Sequence, residues 1–222
     1  MKKQINFLCA VALVGVALFA ASCGSKHEEQ AGTVGQMVDL GLSVKWADHN
    51  VGAIMPEDFG NHYAWGEIHS KDFYGWNTYA HGSDYNQISK YCNDAQNGVC
   101  DDKLTLDLED DVAHAAWGGT WRMPTLDEAR ELIDSCSWNL VEKNGVKGYL
   151  VVGRNSNSIF LPAAGYRSND GHGSVGVYGY YWTKSLYEGI PSVAYELIFN
   201  TYSIYTQGDY RFDGRSVRPV CE

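Results

Sequence analysis

The sequence predicts an α+β domain. Two amphipathic helical segments lie in the middle of the chain, and a run of antiparallel strands joined by Gly-rich connections fills its second half. A short broken strand pair precedes the helices, so the order is strands, two helices, then strands. Two hundred and twenty-two residues with 45% hydrophobic content are enough for one well-buried domain. No internal repeat or low-complexity block interrupts Met37–Glu222, and one domain is expected over 37–222.

The elements follow in order. Met37–Ala47 alternates and breaks at Gly41, predicting two short strands. Leu106–Ala116 predicts the first helix, with Asp107 as its cap, Glu109, Asp110 and Asp111 in the first turn, and Gly118 as terminator. Thr125 and Glu128 form an S/T-x-x-E capping box opening the second helix, in which Leu126, Ala129, Leu132, Ile133 and Cys136 recur at helical spacing. From Lys147 onward the pattern is β: Tyr149–Val152 and Ser158–Leu161 flank a GRNSN turn. Tyr180–Leu186, Val193–Asn200, Ser203–Thr206 and Arg215–Val220 supply further strands. SNDGHGSVGVYG reads as a Gly-rich connection between them.

The N-terminus carries an address. Lys2 and Lys3 precede an uncharged apolar run, Phe7–Ala21, which suits a signal-peptide core and is short of the roughly 20 residues a span requires. Ala20-Ala21-Ser22-Cys23 resembles a bacterial lipobox, so residues 1–22 are expected to be a signal peptide and Cys23 the lipidated first residue. Two or more acyl chains would hold such a protein stably at a membrane. Residues 23–36 read as a flexible tether. Within it, Lys26-His27-Glu28-Glu29 resembles the acidic surface-export signal of Bacteroidota lipoproteins. The expected location is the outer membrane, lipid-anchored and facing outward.

A net charge of −10 argues against nucleic acid as a partner, and removing residues 1–22 takes away two lysines and no acid. Of six cysteines, Cys9 lies in the signal and Cys23 takes the lipid. The remaining four suggest disulfides in an exported chain, with three possible connectivities. The preferred pairing closes the short loop Cys92–Cys100, which contains an Asn97-Gly98 turn, and leaves Cys136 for Cys221. No CxxC or CxxH spacing points to zinc.

The segments VDLGLSVKWA, NVGA, PEDFGNHYAWGE, WGGTWRMPT, NSIFLPAAGYR and SVRPV, in that order, resemble the Fibrobacter succinogenes major paralogous domain over about Met37–Cys221. The resemblance implies a C-type-lectin-like fold, related to the formylglycine-generating enzymes, with two short helices packed on twisted antiparallel sheets, long loops, and the chain ends brought into one sheet. In that frame WGGTWRMPT reads as a pin of the fold. The Gly pair turns the backbone, Trp117 and Trp121 cover apolar surface, and Arg122 bonds carbonyls or a carboxylate within the domain.

Catalysis finds little footing. The cysteine pair of the formylglycine-generating relatives has no counterpart beside Cys221, the histidines form no HxH or HxxxH pair, and no GxSxG elbow occurs. Nor does the chain carry the EPN or QPD loop of calcium-dependent lectins. Asp101, Asp102, Glu109, Asp110 and Asp111 cluster oxygen ligands of the kind calcium takes, although an acidic first helical turn explains part of the cluster more simply. No cofactor or metal is expected. Aromatic and polar loops remain, and Tyr74, Trp76, Asn169, Asp170, His172 and Tyr178 are the candidate binding rim. The expectation is a non-catalytic binding module for glycan or protein ligands. The alternative is a structural or tip subunit of a surface fibre or envelope complex.

Overall fold

The computed structural model describes residues 32–222, a mixed α+β arrangement of mostly antiparallel sheets and two helices. The expected signal peptide, Cys23 and Lys26–Glu29 lie outside the described residues. Among the described residues no helix is long and apolar enough to cross a membrane.

The first sheet closes the domain. Strands β1 (Met37–Val38), β2 (Lys45–Ala47) and β11 (Val220–Cys221) lie antiparallel in the order β1-β2-β11, with both Val38 and Val220 opposite Trp46. The two ends of the described chain are therefore neighbours. Part of the expected tether belongs to this body: Thr33 N donates to Ala53 O, Gln36 N to Asp48 Oδ1, and Asp48 N to Gln36 O. Thr33 and Gln36, within the expected tether, are thus hydrogen-bonded to the domain.

The helical region departs from expectation in one place. Leu108–Asp110 is a single 3-10 turn, and α1 runs only from Val112 to Trp117. Its cap is Asp111, not Asp107. The fully buried Asp111 carboxylate accepts from the backbone N–H groups of Ala113, His114 and Met123, so one side chain starts α1 and anchors the WRM segment beyond it. Gly118 ends the helix at φ 67°, a conformation disfavoured for residues with a Cβ. Trp117 and Trp121 then meet edge to face at 5.1 Å. Arg122 pairs its backbone with Val220 and clamps Glu128 with two bonds of 2.8 and 2.7 Å. Helix α2 (Leu126–Ser135) opens with the expected capping box between Thr125 and Glu128.

Strands β3 (Ser137–Lys143), β4 (Val146–Val152) and β5 (Ser158–Pro162) form a second sheet. β3 is an addition to the expected set, joined to β4 through Asn144-Gly145, both at positive φ. The third sheet has the order β10-β9-β8, with β8 Gly179–Leu186, β9 Val193–Phe199 and β10 Ile204–Tyr210. Helix α2 lies against it. Side chains alternate across a strand, so Tyr181, Leu197 and Phe199 enter the main core with Trp46, Leu132, Val151 and Leu161. Tyr180, Trp182 and Glu196 face the other way. A small hairpin, β6 (Tyr166–Ser168) and β7 (Gly171–Gly173), runs into the Gly-rich connection. Of the strand expected over Arg215–Val220, only Val220 lies in a named strand; Arg215, Ser216 and Val220 make backbone pairs to Tyr63, Tyr181 and Arg122 in three separate places.

The expected disulfides require correction: Cys92, Cys100, Cys136 and Cys221 are all free. Cys136 caps α2 beside the main core, while Cys221 packs in β11 with Ala47 and Trp121, a separate apolar cluster. In the 92–100 loop the Asp101 carboxylate takes the backbone N–H groups of Tyr91 and Cys92, and each sulfur turns to a local oxygen, Cys92 to Asp94 O and Cys100 to Asp102 Oδ1.

Two buried arginines, Arg211 and Arg218, bind these parts together. Arg211 donates to Tyr79 Oη, Tyr91 O, Pro191 O and Lys90 O, and its guanidinium lies 4.7 Å from the Trp65 ring centroid. Arg218 donates to Asn50 Oδ1, Ala47 O and Phe160 O, and burial pulls its guanidinium below the usual value to about 10. Replacing Arg211 with Met leaves a set of buried acceptors without donors. Arg211→Met is expected to lower stability by at least about 3 kcal/mol, read as a fall in the urea midpoint with the slope unchanged.

Candidate functional site

An open cleft of about 600 Å³ lies on the face of β8 and β9 turned away from the main core. Its floor is Arg215. Its walls are Tyr166 and Tyr180, and Asn169, His172, Asp209 and Asp213 stand around it.

Strand geometry places each part. Tyr180 and Trp182, two residues apart on β8, share a face, and Glu196 sits opposite Trp182 on β9. That pairing puts a carboxylate beneath Arg215, whose Nε donates to Glu196 Oε2 at 2.6 Å. Nη2 donates to Asp209 Oδ2 at 2.7 Å and to Asp213 Oδ2 at 3.3 Å. The guanidinium carbon lies 5.3, 5.1 and 5.4 Å from the ring centroids of Tyr166, Tyr180 and Trp182. Nη1 has a weaker hold, a 3.5 Å contact with Gly214 O.

The β6–β7 hairpin builds the other wall. Strand β6 is tied to Gly214 through reciprocal backbone bonds with Arg167, and the turn after it is tied to Tyr74, which exchanges bonds of 2.8 and 2.7 Å with Asn169. Tyr166 lies across Gly173, where a Cβ would meet its ring at 2.8 Å, so glycine permits the close approach. Tyr166 then meets Tyr180 edge to face at 5.5 Å, and Tyr178 stacks on Tyr180 at 5.5 Å.

The electrostatics are set by burial. Glu196 is fully buried, and desolvation pushes its carboxyl up to about 7 against the pull of Arg215. Burial raises Asp213 as well, opposed by Arg215 and Ser168. Asp213 is 8% exposed, and its Oδ1 is buried with no hydrogen-bond partner. Desolvation moves the Tyr180 hydroxyl up to about 12, so it stays a neutral donor at physiological pH. Behind the wall, His62 packs edge to face on His172 at 4.9 Å, and His172 Nε2 is 2.8 Å from Ala164 O.

The six candidate rim residues divide. Asn169 and His172 line the cleft, and Tyr178 backs it through its stack on Tyr180. Asp170 is exposed at the hairpin turn, outside the lining. Tyr74 is 1% exposed, its hydroxyl donating to His62 O, and so supports Asn169 from within and is closed to a ligand. Trp76 packs on Phe212 at 5.0 Å and Tyr79 at 5.8 Å in a satellite apolar cluster. Residues outside the six candidates complete the site: Tyr166, Tyr180, Asp209, Asp213 and Arg215. The aromatic and acidic spacing of YYW, GDYRFDGR and GYR was their only trace.

Among the described residues, Asp107, Glu109 and Asp110 are the group with metal-like spacing, and Lys90 Nζ already lies 2.8 Å from Glu109 and 2.5 Å from Asp110. A second cleft of about 400 Å³, between residues 32–34 and Trp117, carries no Asp, Glu, Lys or Arg in its lining. Compared with protein-family models, with curated proteins and with solved structures, the chain has no match.

The buried His62 gives this wall a pH signature. Desolvation, aided by His172, Arg167 and Arg215, lowers its ring from 6.5 to about 3. Below pH 6.5 the unfolded chain takes up a proton that the folded chain refuses. The stability that His62 contributes in full above pH 6.5 is therefore lost as pH falls toward 3. Across that window the difference in stability between wild type and His62→Gln should change with a slope approaching about 1.4 kcal/mol per pH unit. Parallel melting profiles for the two proteins would contradict the assignment.

Proposed function

We propose that the protein is a lipid-anchored, outward-facing binding module that holds a glycan or protein ligand in the Tyr166–Tyr180–Arg215 cleft and does not transform it. The single observation that carries this reading is the cleft itself, open, aromatic-walled and floored by a guanidinium that three carboxylates hold. Aromatic faces cover apolar ligand surface, while rim carboxylates and amides supply directional bonds. The closest approach to an acid catalyst is Glu196, but it is sealed beneath Arg215 and hydrogen-bonded to it, which favours a holding role over proton transfer.

The reading takes the domain as C-type-lectin-like, of the Fibrobacter major paralogous type. Its support is the sequence resemblance, the pairing of both ends in one sheet, and loops that carry the site. Anchorage rests on the lipobox-like Ala20–Cys23 and the charged Lys26–Glu29.

Two measurements test it. In cells of a bacterium that lipidates exported proteins, the wild type should take up labelled palmitate and be shaved from intact cells by protease. Cys23→Ala should lose the label and the membrane association. For the site, Tyr166→Ala should weaken ligand binding at least tenfold, a loss of about 1.4 kcal/mol. Trp76→Ala should lower the melting temperature and leave affinity within about threefold, since its ring packs on Phe212 and outside the cleft. Equal loss of affinity in both variants would contradict the placement.

A further inference from the structure

Resting on the binding role proposed above, we infer that the free edge of β10 takes an extended segment of a partner protein as an added antiparallel strand, with a lysine or arginine of that segment held against Asp209.

Strand β10 ends the third sheet, and its outer side is open. It pairs with β9 over all seven residues, Ile204–Tyr210, without a register shift. Two bonds that bracket this ladder, Asn200 N–H to Ser203 O and Arg211 N–H to Ser192 O, set its alternation. Tyr205, Gln207 and Asp209 therefore turn their backbone groups to β9, and Ile204, Thr206 and Gly208 turn theirs outward. Among the described residues nothing pairs with those outward N–H and C=O groups. Exposed edges are ordinarily blunted by lysine, proline or a bulge. Strand β10 reads IYTQGDY and has none of the three. The other long edge, β3, ends in Glu142-Lys143, with Lys143 paired to Glu57 at 3.0 Å.

Side chains alternate across β10, so Tyr205, Gln207 and Asp209 lie on the cleft side of the sheet with Tyr180 and Glu196. These are the positions at which an added antiparallel strand brings its side chains closest. Tyr205 is 37% exposed and offers its ring to an apolar or aromatic residue. Charge selects the rest. Three carboxylates share the Arg215 guanidinium, and Asp209 is the open one, its side chain 34% exposed against 11% for Asp213 and 0% for Glu196. A cation arriving from outside meets a negative surplus there. A second copy of this chain fits poorly. Its own IYTQGDY strand brings no lysine or arginine, and each copy carries a net charge of −10.

The experiment pans the full-length protein in detergent against a displayed library of nine-residue peptides varied at every position. Selected peptides should carry lysine or arginine at one fixed place, with apolar residues at alternate positions around it. A synthetic copy should bind at least tenfold more weakly when its basic residue becomes glutamate. N-methylation of one alternate set of its amides should cut affinity at least tenfold, and of the other set less than threefold. Thr206→Pro removes an outward N–H and no bond of the β9–β10 ladder, so it should weaken binding at least tenfold. Tyr205→Lys sets a guarding charge on an exposed position, and the same loss is expected there should the proline disturb folding. Failure to select any peptide, or selected peptides that bind both variants as tightly as wild type, overturns this inference. Ligand binding lost in Tyr166→Ala alone would then show the cleft role surviving without it. A wild-type dimer in sedimentation that Thr206→Pro dissociates would give the edge to a second copy and overturn the inference as well.

Discussion

Three guanidinium groups within eight residues, those of Arg211, Arg215 and Arg218, are almost wholly withdrawn from water, and the remainder of the molecule is arranged to satisfy them. Burying one charge costs several kcal/mol even after relaxation, so each must be met by well-placed acceptors. Arg211 gathers carbonyls from the 90–91 loop and Pro191. Arg218 gathers Asn50, Ala47 and Phe160, drawing the first sheet toward the second. Arg215 gathers carboxylates from β9, β10 and its own loop. The segment RFDGRSVR therefore works as a spine, although it contains almost no regular structure. Long loops are held in place by charge-assisted bonds where strand ladders do not reach.

The same device explains why the site is where it is. Arg211 and Arg218 meet backbone carbonyls and neutral side chains; Arg215 meets acids, and it does so below an opening between the β6–β7 hairpin and the β8–β9 face. A structural ion pair placed under a cleft leaves edges of its network reachable from outside. Rigidity and recognition are thus two uses of one cluster: aromatic rings shield the guanidinium from below and offer a surface above. The hairpin contributes Tyr166 and Asn169 on a frame pinned at Gly214 and Tyr74, so the rim is preorganised even though it is loop-borne.

Much of the architecture was legible in the residues. The Thr125–Glu128 capping box, the turn at Gly118 and the strands of β4, β5, β8 and β9 are local or periodic signals, and they hold. Arg122 pairs with an internal carboxylate, as the resemblance implied. The failures share a cause. β3 presents exposed Asn139 and Leu140, so its pattern lacks a clean apolar face. β6 and β7 are three residues each, running into a Gly-rich stretch. Asp107 and Asp111 are equally good caps by type, and only tertiary contact with Met123 selects the second. Tyr74 and Trp76 look like rim aromatics in the sequence, because nothing local reveals that His62 O and the Phe212 ring claim them. Of the site, the hairpin was visible as a loop of interest. Its arginine floor was not, since a buried guanidinium with distant acceptors leaves no periodic mark.

Backbone amide hydrogen exchange along the spine tests this account most directly. Arg211 N–H donates to Ser192 O, Arg215 N–H to Tyr63 O and Ser216 N–H to Tyr180 O. If the buried arginines hold the fold together, these amides exchange only through global unfolding, as slowly as those of Leu197 and Ile198 in the central strand β9. Exchange at the rate of an ordinary surface loop, with β9 still protected, would show that the spine opens by itself, and the account would fail.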